Sequence, residues 1–143
     1  MRNVSLCPLL AAALLAGCDS AESVRIEEAR AKLVGTWLEE VAAEDAKSRR
    51  VLSLGTDGKF IDRIVLSVPG APAQRRELAG EWSYDGTNLK RRYLRENGRQ
   101  FSGSGMRYAT FPLRSVTQSE LVVDDNIRGK EALWRRVPEG TEP

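Results

Sequence analysis

The sequence predicts an all-β protein: a single antiparallel up-and-down barrel of about eight strands, preceded by a short helix. From residue 35 onward, apolar and polar residues alternate with a period of two, which is typical of half-buried strands. The strand-like runs follow one another at a spacing of about 8–12 residues, without the helical crossovers that parallel strands need. Because closure removes the exposed edges of a sheet, about eight short strands in one domain favour a barrel.

The first three strands are predicted at residues 35–43, 48–55 and 59–68. Between the second and the third, Asp57-Gly58 is a hairpin signal, because glycine adopts a positive φ at little cost. Residues 69–73 contain two prolines and are predicted to form a loop, since proline cannot donate to a central ladder.

The remaining strands are predicted at 76–84, 88–96, 100–111 and 130–137, with one more within 114–123, where a short polar turn precedes it. Asp85-Gly86 and Asn97-Gly98 indicate turns, and the glycines within 100–111 indicate a bend or bulge. Pro112 is expected to end that strand. Residues 124–126, Asp-Asp-Asn, are expected to form a hairpin turn, because they lack the further ligand positions and the closing glutamate of a calcium loop.

The first residues have the layout of an export signal. Arg2 supplies a positive charge, residues 6–15 are apolar, and two small residues precede Cys18. The apolar run is too short, and too closely followed by polar residues, to span a bilayer. We therefore expect a signal peptide at 1–17 that is removed, a tether with a short helix at 18–34, the barrel at 35–138 and a disordered tail at 139–143.

The ending Leu15-Ala16-Gly17-Cys18 resembles a bacterial lipobox. The resemblance implies a diacylglyceryl thioether on Cys18, cleavage before it, and acylation of the new amino terminus, with palmitate as an expected chain. Several chains on one cysteine anchor firmly, whereas one chain holds only marginally. We therefore expect an envelope lipoprotein that faces the periplasm. Asp19 resembles an inner-membrane retention signal of enteric bacteria and favours the inner membrane over the outer one, which is the alternative. The alternative is an ordinary signal peptide with a chance cysteine.

Composition excludes several classes of function. The formal net charge of +2 gives no strong field for nucleic acid. The chain has no histidine, and Cys7 leaves with the signal peptide, so neither a Ser-His nor a Cys-His pair can form. Glu39 and Glu40 are adjacent, so their side chains diverge on a strand and do not act as paired carboxylates. We expect no enzymatic activity, no catalytic residue, no metal site and no cofactor.

At Gly35-Thr36-Trp37 the chain resembles the G-x-W of the first strand of lipocalin-type barrels. The resemblance spans residues 33–137, through LSLGTDGKF, LAGEWSY and a late ELVV. It implies that Trp37 plugs one end of the barrel and that a basic side chain of the last strand crosses it. Arg135 and Arg136 alternate onto opposite faces, and we prefer Arg136 for this cation–π contact, the alternative being that both face solvent. Avidin-like and fatty-acid-binding barrels share this layout.

Inward aromatic residues form the candidate ligand-binding wall, namely Trp37, Phe60, Trp82, Tyr84, Tyr93, Tyr108 and Trp134. An eight-stranded barrel is either filled by side chains or holds one small ligand. The first hypothesis is a membrane-anchored lipoprotein that binds a small hydrophobic or amphiphilic molecule. The second is a periplasmic inhibitor or immunity protein that binds a cell-wall-degrading enzyme or toxin through loops 69–76 and 97–104. A passive role in envelope assembly has no feature for or against it.

Overall fold

The computed structural model describes residues 17–103, 105 and 107–143, with side chains from Ser20 onward. The first sixteen residues of the predicted signal peptide lie outside this part of the chain. The elements are α1 Gly17–Leu33, β1 Gly35–Ala43, β2 Ala46–Leu54, β3 Lys59–Ser67, β4 Gln74–Tyr84, β5 Asn88–Glu96, β6 Arg99–Gln100, β7 Arg107–Val116, β8 Glu120–Asp125 and β9 Lys130–Val137.

Eight strands form a closed antiparallel barrel, in which each pairs with its neighbours along the chain. The two-residue β6 pairs only with the last two residues of β5. The rest of β5 pairs with β7, which is therefore the next strand of the barrel. The barrel closes where β1 pairs with β9, with Trp37 opposite Arg136. The predicted all-β barrel with a preceding short helix is confirmed.

The seventh strand differs from its prediction. Pro112 was expected to end a strand at residue 111, but it lies inside β7, opposite Asn88 on β5. The β7–β8 register shifts between Leu113 and Ser115, directly after the proline. Because a bulge leaves ladder positions unpaired, a residue without an N–H is tolerated there.

The last hairpin also begins later than predicted. Asp124 and Asp125 belong to β8 and pair with Glu131 and Lys130 of β9, so the turn lies at residues 126–129. The carboxylate of Asp125, which is buried, thereby becomes part of the barrel wall.

The two ends of the barrel differ. Helix α1 lies at the end formed by the β2–β3, β4–β5 and β7–β8 turns, which we call the closed end. There Leu33 is fully buried, and the Arg30 guanidinium lies 5.7 Å from the centroid of the Trp82 ring. The opposite end, with the β8–β9 turn, is the open end.

Within the described residues, no helix has the length and apolar character to cross a membrane.

Residues 138–143 return along the outer wall of the barrel. The Thr141 N–H donates to Pro138 O at 3.2 Å, and Glu142 lies 3.7 Å from Arg63 on β3. On this wall Leu38 and Val51 point outward by alternation, yet they are only 2% and 1% exposed. We infer that the returning segment, for which disorder is expected, covers these two side chains.

Candidate functional site

Trp37 seals the closed end from its position on β1. It is fully buried, and its indole N–H donates to Leu33 O at 2.8 Å. The Arg136 guanidinium lies over the ring, 4.1 Å from its centroid, which is the contact that alternation and the lipocalin resemblance predict. Arg135 points outward and binds Glu40 at 3.2 Å.

Arg136 also explains the glycine of the G-x-W motif. Its guanidinium donates to the backbone oxygens of Lys32, Val34 and Gln118, at 2.5, 2.8 and 2.6 Å. Gly35 has a φ of +139°, and a Cβ there would lie 2.1 Å from Arg136 Nη1. The absence of a side chain at residue 35 therefore makes room for the cation that joins β9 to the end of α1.

The apolar layer at the closed end holds most of the predicted aromatic wall. Trp37, Phe60, Trp82 and Trp134 are at most 4% exposed, and Tyr84 and Tyr93 are half-buried against the same core. Phe60 and Tyr93 meet edge to face, with their ring centroids 5.4 Å apart. These side chains pack against one another and so fill the volume that a ligand would need.

Tyr108 was predicted to line the interior, and this is wrong. It lies on the outer face of β7 and is 59% exposed, whereas Ala109 and Phe111 point inward. Tyr108 is three residues from Phe111, and because the side chains of a strand alternate with a period of two, this odd separation places them on opposite faces.

Charged side chains that are not among the predicted site residues occupy the interior towards the open end. We call them the ionic cluster: Glu39, Arg50, Asp62, Arg91, Asp125 and Arg128. Asp62 is fully buried and accepts hydrogen bonds from Arg50 Nη2 at 2.5 Å and Arg91 Nη1 at 2.8 Å. The cluster forms a layer of paired charges above the apolar core.

Within the cluster, ion pairing and hydrogen bonding affect the pKa of Arg50 and of Asp125 more strongly than burial does. Burial alone would lower the pKa of Arg50, but the carboxylates of Asp62 and Glu39 more than offset this and raise it. Burial likewise favours the neutral form of Asp125, but hydrogen bonds from Arg128 and from backbone N–H groups hold the pKa of that carboxyl below its usual value. Arg50 and Asp125 therefore remain charged at neutral pH.

Two arginines of the cluster lie on the aromatic layer below. The guanidinium of Arg91 is 4.3 Å from the Phe111 ring centroid, and that of Arg50 is 5.2 Å from the centroid of Trp134. Between the layers, a cavity of about 10 Å³ is lined by Arg91, Asp125 and surrounding apolar side chains. This volume suits about one water molecule, so this part of the interior is filled by protein.

The alternation of the strands indicates the inward direction of four members of the cluster. Each stands two residues after a buried apolar residue, in the pairs Trp37–Glu39, Phe60–Asp62, Leu89–Arg91 and Val123–Asp125. Alternation therefore turns these charges inward, and the predicted divergence of Glu39 from Glu40 is its first instance. Nothing in the local sequence indicates that Arg128, which lies in a turn, reaches the interior.

The open end carries exposed apolar side chains. Val68, Leu94, Tyr108 and Ile127 are 39%, 37%, 59% and 72% exposed, and each lies in or next to a connection at this end. Asn126 Nδ2 lies 3.5 Å from Thr110 O, which brings the β8–β9 turn beside β7. Ile127 and Tyr108 thus belong to one side of the open rim.

The sequence matches no protein-family model, and comparison with curated proteins finds no similar sequence. Cys18, the predicted lipid attachment site, lies in the first turn of α1, and its side chain is outside the described part of the chain.

Proposed function

We propose that this protein is a lipid-anchored protein of the bacterial cell envelope whose barrel binds another protein in the periplasm through its open end. The proposal is supported by the combination of an interior that the described aromatic and charged side chains pack and an apolar open rim. The interior cavity of about 10 Å³ is far below the several hundred Å³ that a ligand pocket needs. Exposed tyrosine side chains are instead typical of protein interfaces, and patches of exposed apolar side chains mark sites of interaction.

The position of the helix supports the same orientation. Cys18 lies at the beginning of α1, and α1 lies against the closed end of the barrel. An anchor on Cys18 would hold the closed end nearer the tether and leave the open end for a partner. Of the partners that the sequence predicts, a cell-wall-degrading enzyme or toxin is accessible from this location, which makes an inhibitor or immunity protein the proposed class.

The anchor is tested by Cys18→Ser in the full chain. We expect the variant to move from the membrane fraction to the soluble fraction after export, because it cannot carry the thioether-linked chains. Retention of the variant in the membrane fraction, at the size of the wild-type protein, would refute the lipid anchor.

Partner binding is tested by comparing matched surface variants of the anchored protein. Tyr108→Glu and Ile127→Glu change the open rim, whereas Leu133→Glu changes an equally exposed aliphatic residue, 56% exposed, on the outer wall of β9. We expect a stoichiometric partner that is captured by the wild type and by Leu133→Glu and is lost from both rim variants. Equal capture by all three variants would contradict binding through the open end.

The competing hypothesis of a small amphiphilic ligand is tested by native mass spectrometry after gentle extraction. If the open end binds a protein, we expect the spectrum to show the mass of the lipidated protein alone. A hydrophobic molecule that copurifies in a one-to-one ratio would overturn the proposal in favour of ligand binding.

A further inference from the structure

Arg128 differs from the other cations of the ionic cluster because it comes from a turn and not from a strand. Its Nη2 donates to Glu39 Oε1 and its Nε to Asp125 Oδ2, both at 2.6 Å. The two acidic side chains are 3% and 5% exposed, while that of Arg128 is 27% exposed. A partly exposed cation on the β8–β9 turn thus bonds to two acids that are fixed in the barrel wall.

The charge of the cluster makes this cation necessary. Its strand residues are three acids, Glu39, Asp62 and Asp125, and two arginines, Arg50 and Arg91, which leaves one negative charge. Arg128 cancels that charge. Glu39 Oε2 is buried without a hydrogen-bond partner, and Arg50 Nη1 lies 3.6 Å from it. The strand residues therefore present unused acceptor capacity as well as excess negative charge at this point.

We infer that Glu39 and Asp125 form a guanidinium-binding site at the open end of the barrel. Arg128 fills this site from within the chain, and the site accepts an arginine side chain of a partner when the β8–β9 turn moves aside. The inference rests on the proposed function for the source of that arginine. The guanidinium group is then the chemical feature by which the partner is recognised.

Geometry selects a guanidinium group over other cations. Two carboxylates on different strands bind Nε and Nη2 of one planar group, a fork that an ammonium cannot reproduce. Exchange of one guanidinium for another leaves the charge of the cluster balanced, whereas an anionic or neutral ligand would leave buried charge unpaired.

The turn is placed so that a partner can reach it. Ile127, next to Arg128 in the chain, is 72% exposed and belongs to the open rim. The Ile127 and Arg128 N–H groups both donate to Asp125 Oδ1, at 3.0 Å. A contact with Ile127 therefore acts directly on the segment that holds Arg128 in place.

The site is tested without a partner by Arg128→Ala, with guanidinium chloride at low millimolar concentration as the probe. Thermal unfolding is followed, and methylammonium chloride at equal concentration is the ionic control. We expect a saturable rise in Tm with guanidinium only, and no such rise in the double variant Glu39→Gln/Arg128→Ala. An equal response to both salts, or an equal response of the single and double variants, would overturn the site.

If Arg128→Ala does not fold in buffer, recovery of folding is the measurement, followed by far-UV circular dichroism. Guanidinium is then expected to restore the β-sheet signal while methylammonium does not, and equal effects of the two salts overturn the site. The source of the arginine is tested separately by partner capture. Glu39→Gln should weaken capture several-fold, and unchanged capture would overturn the role of the site in partner binding. Guanidinium binding without any partner capture would refute the proposed function and leave the site standing.

Discussion

The closed-end and open-end halves of the barrel interior are built on different physical principles. The closed-end half is apolar, with Trp37, Leu121 and Phe60 at most 1% exposed. The open-end half is the ionic cluster, whose carboxylates are at most 5% exposed at the side chain. Both halves are buried, but with opposite consequences.

Burial of apolar surface is favourable wherever it occurs, so each contact in the closed-end half contributes by itself. Burial of charge costs free energy unless every member is paired, so the open-end half is stable only when it is complete. The comparison indicates that the closed end contributes stability and that the open end contributes a defined, sensitive arrangement of charges.

The largest effect is expected from Trp37→Ala at the closed end. It creates a cavity and removes both the hydrogen bond to Leu33 and the contact with Arg136. We expect the free energy of unfolding, measured in urea, to fall by about 4–5 kcal/mol. Trp37→Phe, which keeps a ring but loses the indole N–H, is the milder control. A change within ~0.5 kcal/mol for Trp37→Ala would mean that this residue does not seal the core.

Next in size is Asp62→Ala in the ionic cluster. The change leaves Arg50 and Arg91 without their shared carboxylate, and we expect a loss of about 3–4 kcal/mol in the free energy of unfolding. The matched control is Asp124→Ala, which breaks the pair with Arg114 at the surface and should cost no more than about 1 kcal/mol. Equal losses in the two variants would show that the cluster behaves like surface charge.

A smaller difference is expected between the adjacent arginines of β9. Arg136→Ala removes a cation–π contact and three hydrogen bonds to carbonyl groups, for an expected loss of about 2 kcal/mol in chemical unfolding. Arg135→Ala removes only an exposed pair with Glu40 and should cost about 0.5 kcal/mol. The reverse order would contradict the assignment of Arg136 to the closed end.

The smallest effect is expected from acid titration of the open end. The pKa of Asp125 is lower in the folded protein than its ordinary value, which is about 4. The ionised carboxylate therefore stabilises the fold in full at pH values above that ordinary pKa. That contribution is lost as the pH falls through the lower, folded value. In thermal unfolding between pH 6 and pH 2, Asp125→Asn should have a shallower acid limb than the wild type. Parallel limbs in the two proteins would contradict this role of Asp125.

Much of the fold could be predicted because its signals are local. The hairpin at Asp57-Gly58 and the strands at 35–43 and 88–96 follow from alternation and from positive-φ turn residues, which operate over a few neighbouring positions. Prediction was wrong at β7, because Tyr108 and Phe111 are an odd number of residues apart and cannot both point inward, and because the adjacent bulge accommodates Pro112.

The candidate site was predictable only in part. Alternation and the G-x-W resemblance indicated the pair of Trp37 and Arg136, since both lie on strands of clear period. They did not indicate the open rim, because the β8–β9 turn comes to lie beside β7 only in the closed barrel.

The local pattern of the chain specified the strands, their turns and the inward direction of Glu39 and Asp62, because a period of two fixes the face of each side chain. Closure of the barrel decided that these charges meet. Arg128 is 89 residues from Glu39 along the chain and comes within 2.6 Å of it only after β1 and β9 pair. Whether a buried charge has a partner is a property of the closed barrel, since pairing depends on distances that no strand sets alone.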